Sequence, residues 1–137
     1  RRPGPEAGLE DFMLREILED CEKTFAEVVI MISNDATSAE VYTDFKDLKF
    51  HENTVTFLAE GGTHMHLYMD QVKKAQFIQK TNEEGLPSYS LWLMDGEDQP
   101  LLRVYLRKSE KEETNQPRHD GFLALMQKYG ETVSLAG

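Results

Sequence analysis

Cysteine and tryptophan occur once each, at Cys21 and Trp92, in a chain of 137 residues. A lone cysteine cannot close an internal disulfide, so neither a disulfide scaffold nor a cysteine-based zinc site is available, and a reducing compartment suits the chain. Long apolar runs are missing as well. Nothing approaches the roughly 18 to 20 residues that span a bilayer, and no charged-then-apolar signal segment is visible. The expectation is a cytoplasmic protein with no membrane insertion. Positive charge is scarce: 15 basic against 25 acidic residues leave a net charge of -10. Such a field repels a phosphate backbone and argues against nucleic acid. The chain also lacks a Gly-rich phosphate loop, a Gly-x-Ser-x-Gly elbow and a His-Glu-x-x-His helix, so hydrolytic chemistry has no visible support.

The chain has the means for one core. With 39% hydrophobic residues it is long enough to fold without covalent or metal staples, so residues 9–137 are expected to form a single domain. Residues 1–8, opening Arg1-Arg2-Pro3-Gly4-Pro5, are expected to be a disordered or cloning-derived tail. From Leu9 to about Phe25, apolar Leu9, Phe12, Met13, Ile17 and Cys21 trace the stripe of an amphipathic helix. Its acidic residues, among them Glu16, Glu19, Asp20 and Glu22, form a solvated face. Ala26–Ile32 is short and β-branched, a mostly buried strand closed by the turn-forming Ser33-Asn34-Asp35. Strands are expected near 39–42, 48–50, 55–58, 63–69, 74–80, 89–94 and 101–106. The segment from Ser109 to Gln116 is charged and aperiodic, an exposed loop. Phe122, Leu125, Met126 and Tyr129 then repeat at helical spacing, with Gly130 as the stop. Helices at the two ends of a run of about seven to nine antiparallel strands define an α+β fold.

One strand carries chemistry. In Gly61-Gly62-Thr63-His64-Met65-His66-Leu67-Tyr68-Met69-Asp70 the two imidazoles and the phenol fall at alternate positions. An extended chain sends them to one face and Met65, Leu67 and Met69 to the other. Imidazole and phenolate are both ligands of haem iron, and a strand holds them in a row where a helix would scatter them. The ordinary alternative is a polar strand face bearing solvent-exposed residues. His64-x-His66 could also hold zinc or copper, yet the companions of a four-ligand zinc site are not close in sequence. His51, at a strand end, either joins this face or is a loop residue, and His119 precedes the last helix.

Other candidates are less specific. Arg103, Tyr105 and Arg107 share a strand face and could grip carboxylates through bidentate hydrogen bonds, or simply solubilise the surface. A dianionic ligand would need such a cationic rim against the acidic field, drawn from Lys73, Lys74, Arg103 and Arg107. Trp92 lies opposite the apolar face of its own strand, which suits a pocket wall or an interface.

From Phe50 to Lys108, together with the final helix, the chain resembles the haem-utilisation proteins of the HemS and ChuX/HutX group. Gly61-Gly62 followed by His64-Met65-His66-Leu67 and Asp70 is similar to that group's Gly-Gly-x-x-His-Leu-His-Leu run and its aspartate. Phe77-Ile78-Gln79-Lys80-Thr81 with Gly85, Ser90-Leu91-Trp92-Leu93-Met94-Asp95, and Val104-Tyr105-Leu106-Arg107 resemble its later segments. The resemblance implies a single-half, short-type member: a cytoplasmic haem carrier or storage protein of bacterial iron acquisition that pairs as a homodimer. It implies non-covalent b-type haem near the antiparallel sheet. His66 would be the axial ligand with Tyr68 and His64 in reserve, and Lys73, Arg103, Arg107 and Trp92 would serve as cofactor-binding companions. Two rival expectations remain: a haem-degrading oxygenase, and a dimerising module of the same fold without haem. The second is suggested by Gln79 and Tyr68, which stand where the larger relatives carry arginine or an arginine-like residue.

Overall fold

The computed structural model describes residues 5–25, 28–43, 48–59, 62–81, 83–85, 87–106 and 116–135. Helix α1 (Pro5–Thr24) is followed by β1 (Val28–Ser33), β2 (Ser38–Thr43), β3 (Lys49–His51), β4 (Thr54–Ala59) and β5 (Thr63–Tyr68). A single 3-10 turn, Met69–Gln71, leads into β6 (Lys74–Thr81), β7 (Pro87–Met94), β8 (Pro100–Leu106), α2 (Gln116–Tyr129) and β9 (Thr132–Ser134). The expected α+β class is therefore present, with its antiparallel strands divided between two sheets. One has six strands in the order β2-β1-β8-β7-β6-β9, and the other has three in the order β3-β4-β5. Of the expected loop from Ser109 to Gln116, residues 109–115 lie outside the described residues, while Gln116 opens α2.

Both sheets and both helices share one core. α1 buries Leu14, Ile17, Leu18 and Cys21, continued by Phe25, at the i, i+3, i+4, i+7 spacing of a single face. Met13, expected on that stripe, is 39% exposed, because the buried row begins one position later at Leu14. Val28 and Ile30 of β1, Phe77 of β6, Leu91 and Leu93 of β7, and Val104 of β8 form the sheet's contribution. Phe122 of α2 is the aromatic hub, with ring centroids 5.8 Å from Phe77, 5.1 Å from Tyr89 and 6.5 Å from Phe25. Val55, Phe57 and Leu67 supply the inner face of the small sheet. The two sheets are joined where the Thr43 hydroxyl donates to the carbonyl of Leu58 at 2.9 Å.

Turn chemistry sets the registers. Asn34 Oδ1 accepts from the backbone of Ala36 and Thr37 at 2.8 and 2.9 Å, closing the β1–β2 hairpin as an Asx turn. Ala59 pairs with Thr63, so β4 and β5 are joined by three residues, the last of which, Gly62, has φ of +78°. Glycine takes this left-handed conformation without a Cβ clash. Gly130, at φ +96°, donates to the Met126 carbonyl at 2.7 Å and ends α2. β9 follows and pairs with β6 through Val133 opposite Ala75.

Candidate functional site

Strand β5 presents His64, His66 and Tyr68 to solvent, with Tyr68 58% exposed, while Leu67 and then Met69 are buried beneath. The alternation expected from sequence is therefore the observed one. Cross-strand register completes the face. Tyr68 stands opposite Thr54, His66 opposite Thr56 and His64 opposite Leu58. On β3, Lys49 pairs with Thr56 and His51 with Thr54. Directly paired residues share one side of a sheet. The outer face thus carries the row Lys49, Thr56, His66 and, beside it, the row His51, Thr54, Tyr68.

His66 is held in place. Its Nδ1 lies 2.9 Å from Thr56 Oγ1, within hydrogen-bond distance, so Nε2 is the ring nitrogen without that partner. The His64 ring meets it edge to face, centroids 6.3 Å apart and planes at 88°. The far end of the strand is clamped as well. Asn53 accepts from the Asp70 backbone at 2.7 Å through Oδ1 and donates to the Asp70 carboxylate at 2.8 Å through Nδ2. Its carbonyl accepts from Met69 at 2.7 Å. Asp70 thereby locks the end of the histidine strand to the β3–β4 hairpin.

Trp92 and Arg103 form a second, separate cluster. They pair across β7 and β8, and the Arg103 guanidinium lies over the indole at 4.4 Å. Trp92 Nε1 donates to Ser90 Oγ at 3.0 Å, and Arg103 Nη1 reaches Met31 Sδ at 3.6 Å. Arg103 Nε is buried with no hydrogen-bond partner among the described residues. This face of the six-stranded sheet also carries half-buried Val29, Met31, Ile78 and Tyr105, whereas α2 packs on the opposite face against Phe77 and Tyr89. The histidines and the Trp92–Arg103 pair thus face away from the shared core on different sheets. Lys73 is exposed on the connection into β6, its stem passing beside Gly96, and Lys74 is paired with Asp98 at 2.6 Å. Arg107 lies outside the described residues, as does the His119 side chain.

Sequence reasoning missed Thr56. The signal was available: with Ala59 and Thr63 flanking a three-residue turn, counting back along both strands sets Thr56 against His66. The same counting at the Glu52-Asn53 turn brings Lys49 and His51 onto the face. Cys21 takes no part in chemistry here, since it is fully buried and burial, with the charge of Asp20, drives its thiol well above the usual range. Among the described residues, no three His, Cys, Asp or Glu side chains gather to hold a bare metal ion, and no helix is long and apolar enough to cross a membrane.

An α+β domain with a six-stranded antiparallel sheet, a smaller three-stranded one and helices at both ends is the architecture of haem-utilisation domains. A family model matches residues 14–133, and the chain belongs to the HemS/ChuX group of haem-utilisation proteins. Among solved structures, that of the heme binding protein ChuX superposes with a TM-score of 0.71 at 10% identity, covering 86% of this chain and 73% of that one. ChuS, a heme degrading enzyme from Escherichia coli O157:H7, gives 0.66 at 15% identity over 83% of this chain and 34% of its own. Holo-PhuS, a heme-binding protein from Pseudomonas aeruginosa, gives 0.63 at 14% identity over 81% and 32%. No curated protein matches the sequence.

Proposed function

We propose that this chain binds b-type haem non-covalently on the outer face of the three-stranded sheet, with His66 as axial ligand, and serves as a cytoplasmic haem carrier or store in bacterial iron acquisition. The observation that carries the reading is the shared exposed face of His64, His66 and Tyr68 on β5. The donor set fits the group: two imidazoles and a phenol stand on a rigid strand, and His66 offers Nε2 with its other ring nitrogen engaged. Bound haem would supply the iron that these side chains ligate. Lys49, in the same cross-strand row as His66 with Thr56 between them, is an exposed cation able to meet its carboxylates, with Lys73 of the connection into β6 as a second candidate, while Leu58 and the Tyr68 ring offer apolar contact. The heme binding named for ChuX and PhuS supports the same reading.

Hemin titration tests it. A Soret shift is expected that saturates at one haem per chain and is largely lost in His66→Ala, with His64→Ala and Tyr68→Phe retaining it. A wild-type spectrum identical to free hemin defeats the proposal. Degradation, the activity named for ChuS, is the rival outcome. It would bleach the bound chromophore when ascorbate and oxygen are supplied, whereas a carrier keeps it.

The second face of the large sheet supports a homodimer. Trp92, Tyr105, Val29, Met31 and Ile78 make it half apolar, and a buried arginine nitrogen on it has no acceptor among the described residues. A second copy laid face to face would cover both.

A further inference from the structure

We infer that Thr56 is the positioning residue that selects His66 over His64 as the iron ligand, and selects Nε2 as the ligating atom; the inference rests on the haem reading above. The two histidines are otherwise alike, two residues apart on one strand and both exposed. They differ in what stands opposite. His66 faces the hydroxyl of Thr56, 2.9 Å from Nδ1, whereas His64 faces the aliphatic side chain of Leu58.

Threonine suits this role on a strand. Its branched Cβ leaves few χ1 choices, so the direction of the hydroxyl is set by the backbone. The flanking register is fixed on one side by the Gly62 turn and on the other by the Asn53–Asp70 clamp. We assign Nδ1–H as the donor to Oγ1 in this contact, which keeps the neutral ring's proton on Nδ1 and its lone pair on Nε2. That is the tautomer a metal needs, and it is the less favoured one in free histidine. Second partners of this kind fix the ring plane and strengthen the ligand. Among the described residues His64 has the ring of His66 against it and no polar partner, so its ring orientation and tautomer are not set in this way.

The test begins without haem. Long-range proton–nitrogen spectra of the 15N-labelled apoprotein at pH 8 are expected to show His66 as the Nδ1–H tautomer and His64 as mainly Nε2–H. Thr56→Val should return His66 to the Nε2–H form, and Thr56→Ser should keep Nδ1–H. A His66 ring found as Nε2–H in the wild type overturns the role of Thr56, whatever hemin does. In hemin titrations Thr56→Val is expected to bind roughly 10- to 100-fold more weakly with an altered Soret position, while Thr56→Ser stays near wild type. Unchanged affinity and spectrum in Thr56→Val also overturn the inference. A wild type that binds no hemin but shows the Nδ1–H tautomer defeats the haem reading alone. Far-UV circular dichroism confirms that each variant is folded.

Discussion

Gly121 of α2 meets Thr24 of α1 so closely that a Cβ on Gly121 would lie 2.5 Å from Thr24 Cγ2. The colliding methyl belongs to a β-branched side chain with little freedom to turn aside. Gly121→Ala gains up to about 1 kcal/mol of helix propensity, yet overpacking costs about 1–3 kcal/mol. Net destabilisation is expected by urea unfolding. The double variant Thr24→Ala with Gly121→Ala should recover most of it. If the single variant is more stable than wild type, the two helices do not approach as described.

The same helix pair should confer a defined pH window. Burial alone would raise the Asp20 carboxyl, but hydrogen bonds from Lys128 (2.8 Å) and Tyr129 hold it below the usual carboxylate range. Its folded value is depressed, so its contribution is complete above the ordinary value of 3.8 and disappears as pH falls through the lower folded value. Tyr129 runs the other way. Burial and its bond to Asp20 push the phenol up, so that contribution is complete below the ordinary value of 10.0 and disappears as pH rises beyond it. Tyr129→Phe should cost about 1.5–3 kcal/mol at pH 7, as for a hydrogen bond to a charged acceptor, and should flatten the alkaline limb. Urea unfolding from pH 2 to 11 measures both effects, and an alkaline limb identical in Tyr129→Phe contradicts this assignment.

Trp92 should decide the oligomeric state. Trp92→Glu puts a carboxylate in the middle of the half-apolar sheet face, next to Arg103 of its own chain. The expected result is loss of at least about 2 kcal/mol of association, roughly thirtyfold in the dimer constant, with no change in far-UV circular dichroism. Sedimentation velocity reads the shift. A wild type that is monomeric at 100 µM in the same experiment removes the homodimer from the proposal.

Lysines and arginine can be assigned separately. Lys49→Glu should weaken hemin about three- to tenfold, more at low ionic strength than at high, as for an exposed charge within a Debye length of its partner. Arg103→Glu should leave hemin affinity within about twofold, since Arg103 faces away on the other sheet, and should disturb association instead. The opposite pattern would place haem on the Trp92 face.

Much of the candidate site was legible because it is local. Alternation in β5 needs only the period of a strand, and the Gly61-Gly62 pair in the sequence announces a tight connection. Arg103 and Trp92 each had a strand face, yet their contact depends on the β7–β8 register. That register shifts at Leu93/Met94 beside the Asp95–Asp98 turn, a bulge no pattern of apolar residues reveals. β9 was missed for a similar reason. Its three residues hold one buried side chain, Val133, and its pairing partner lies far back in β6. The split of the strands into two sheets was also out of reach, because the Thr43–Leu58 bond that joins them is a nonlocal contact. On α1, the Met13 and Leu14 positions differ by 100° around the helix, and only packing against Phe25 and the sheet decides which one turns inward.

The three-residue turn between Ala59 and Thr63 counts positions for the whole β4–β5 hairpin. Two residues added after Gly62, with the turn itself unchanged, would seat His64 opposite Thr56 and carry His66 on to Thr54, with every ring still on the same side. A lineage could in this way pass the anchoring role from one imidazole to its neighbour by an insertion, without altering a single histidine codon.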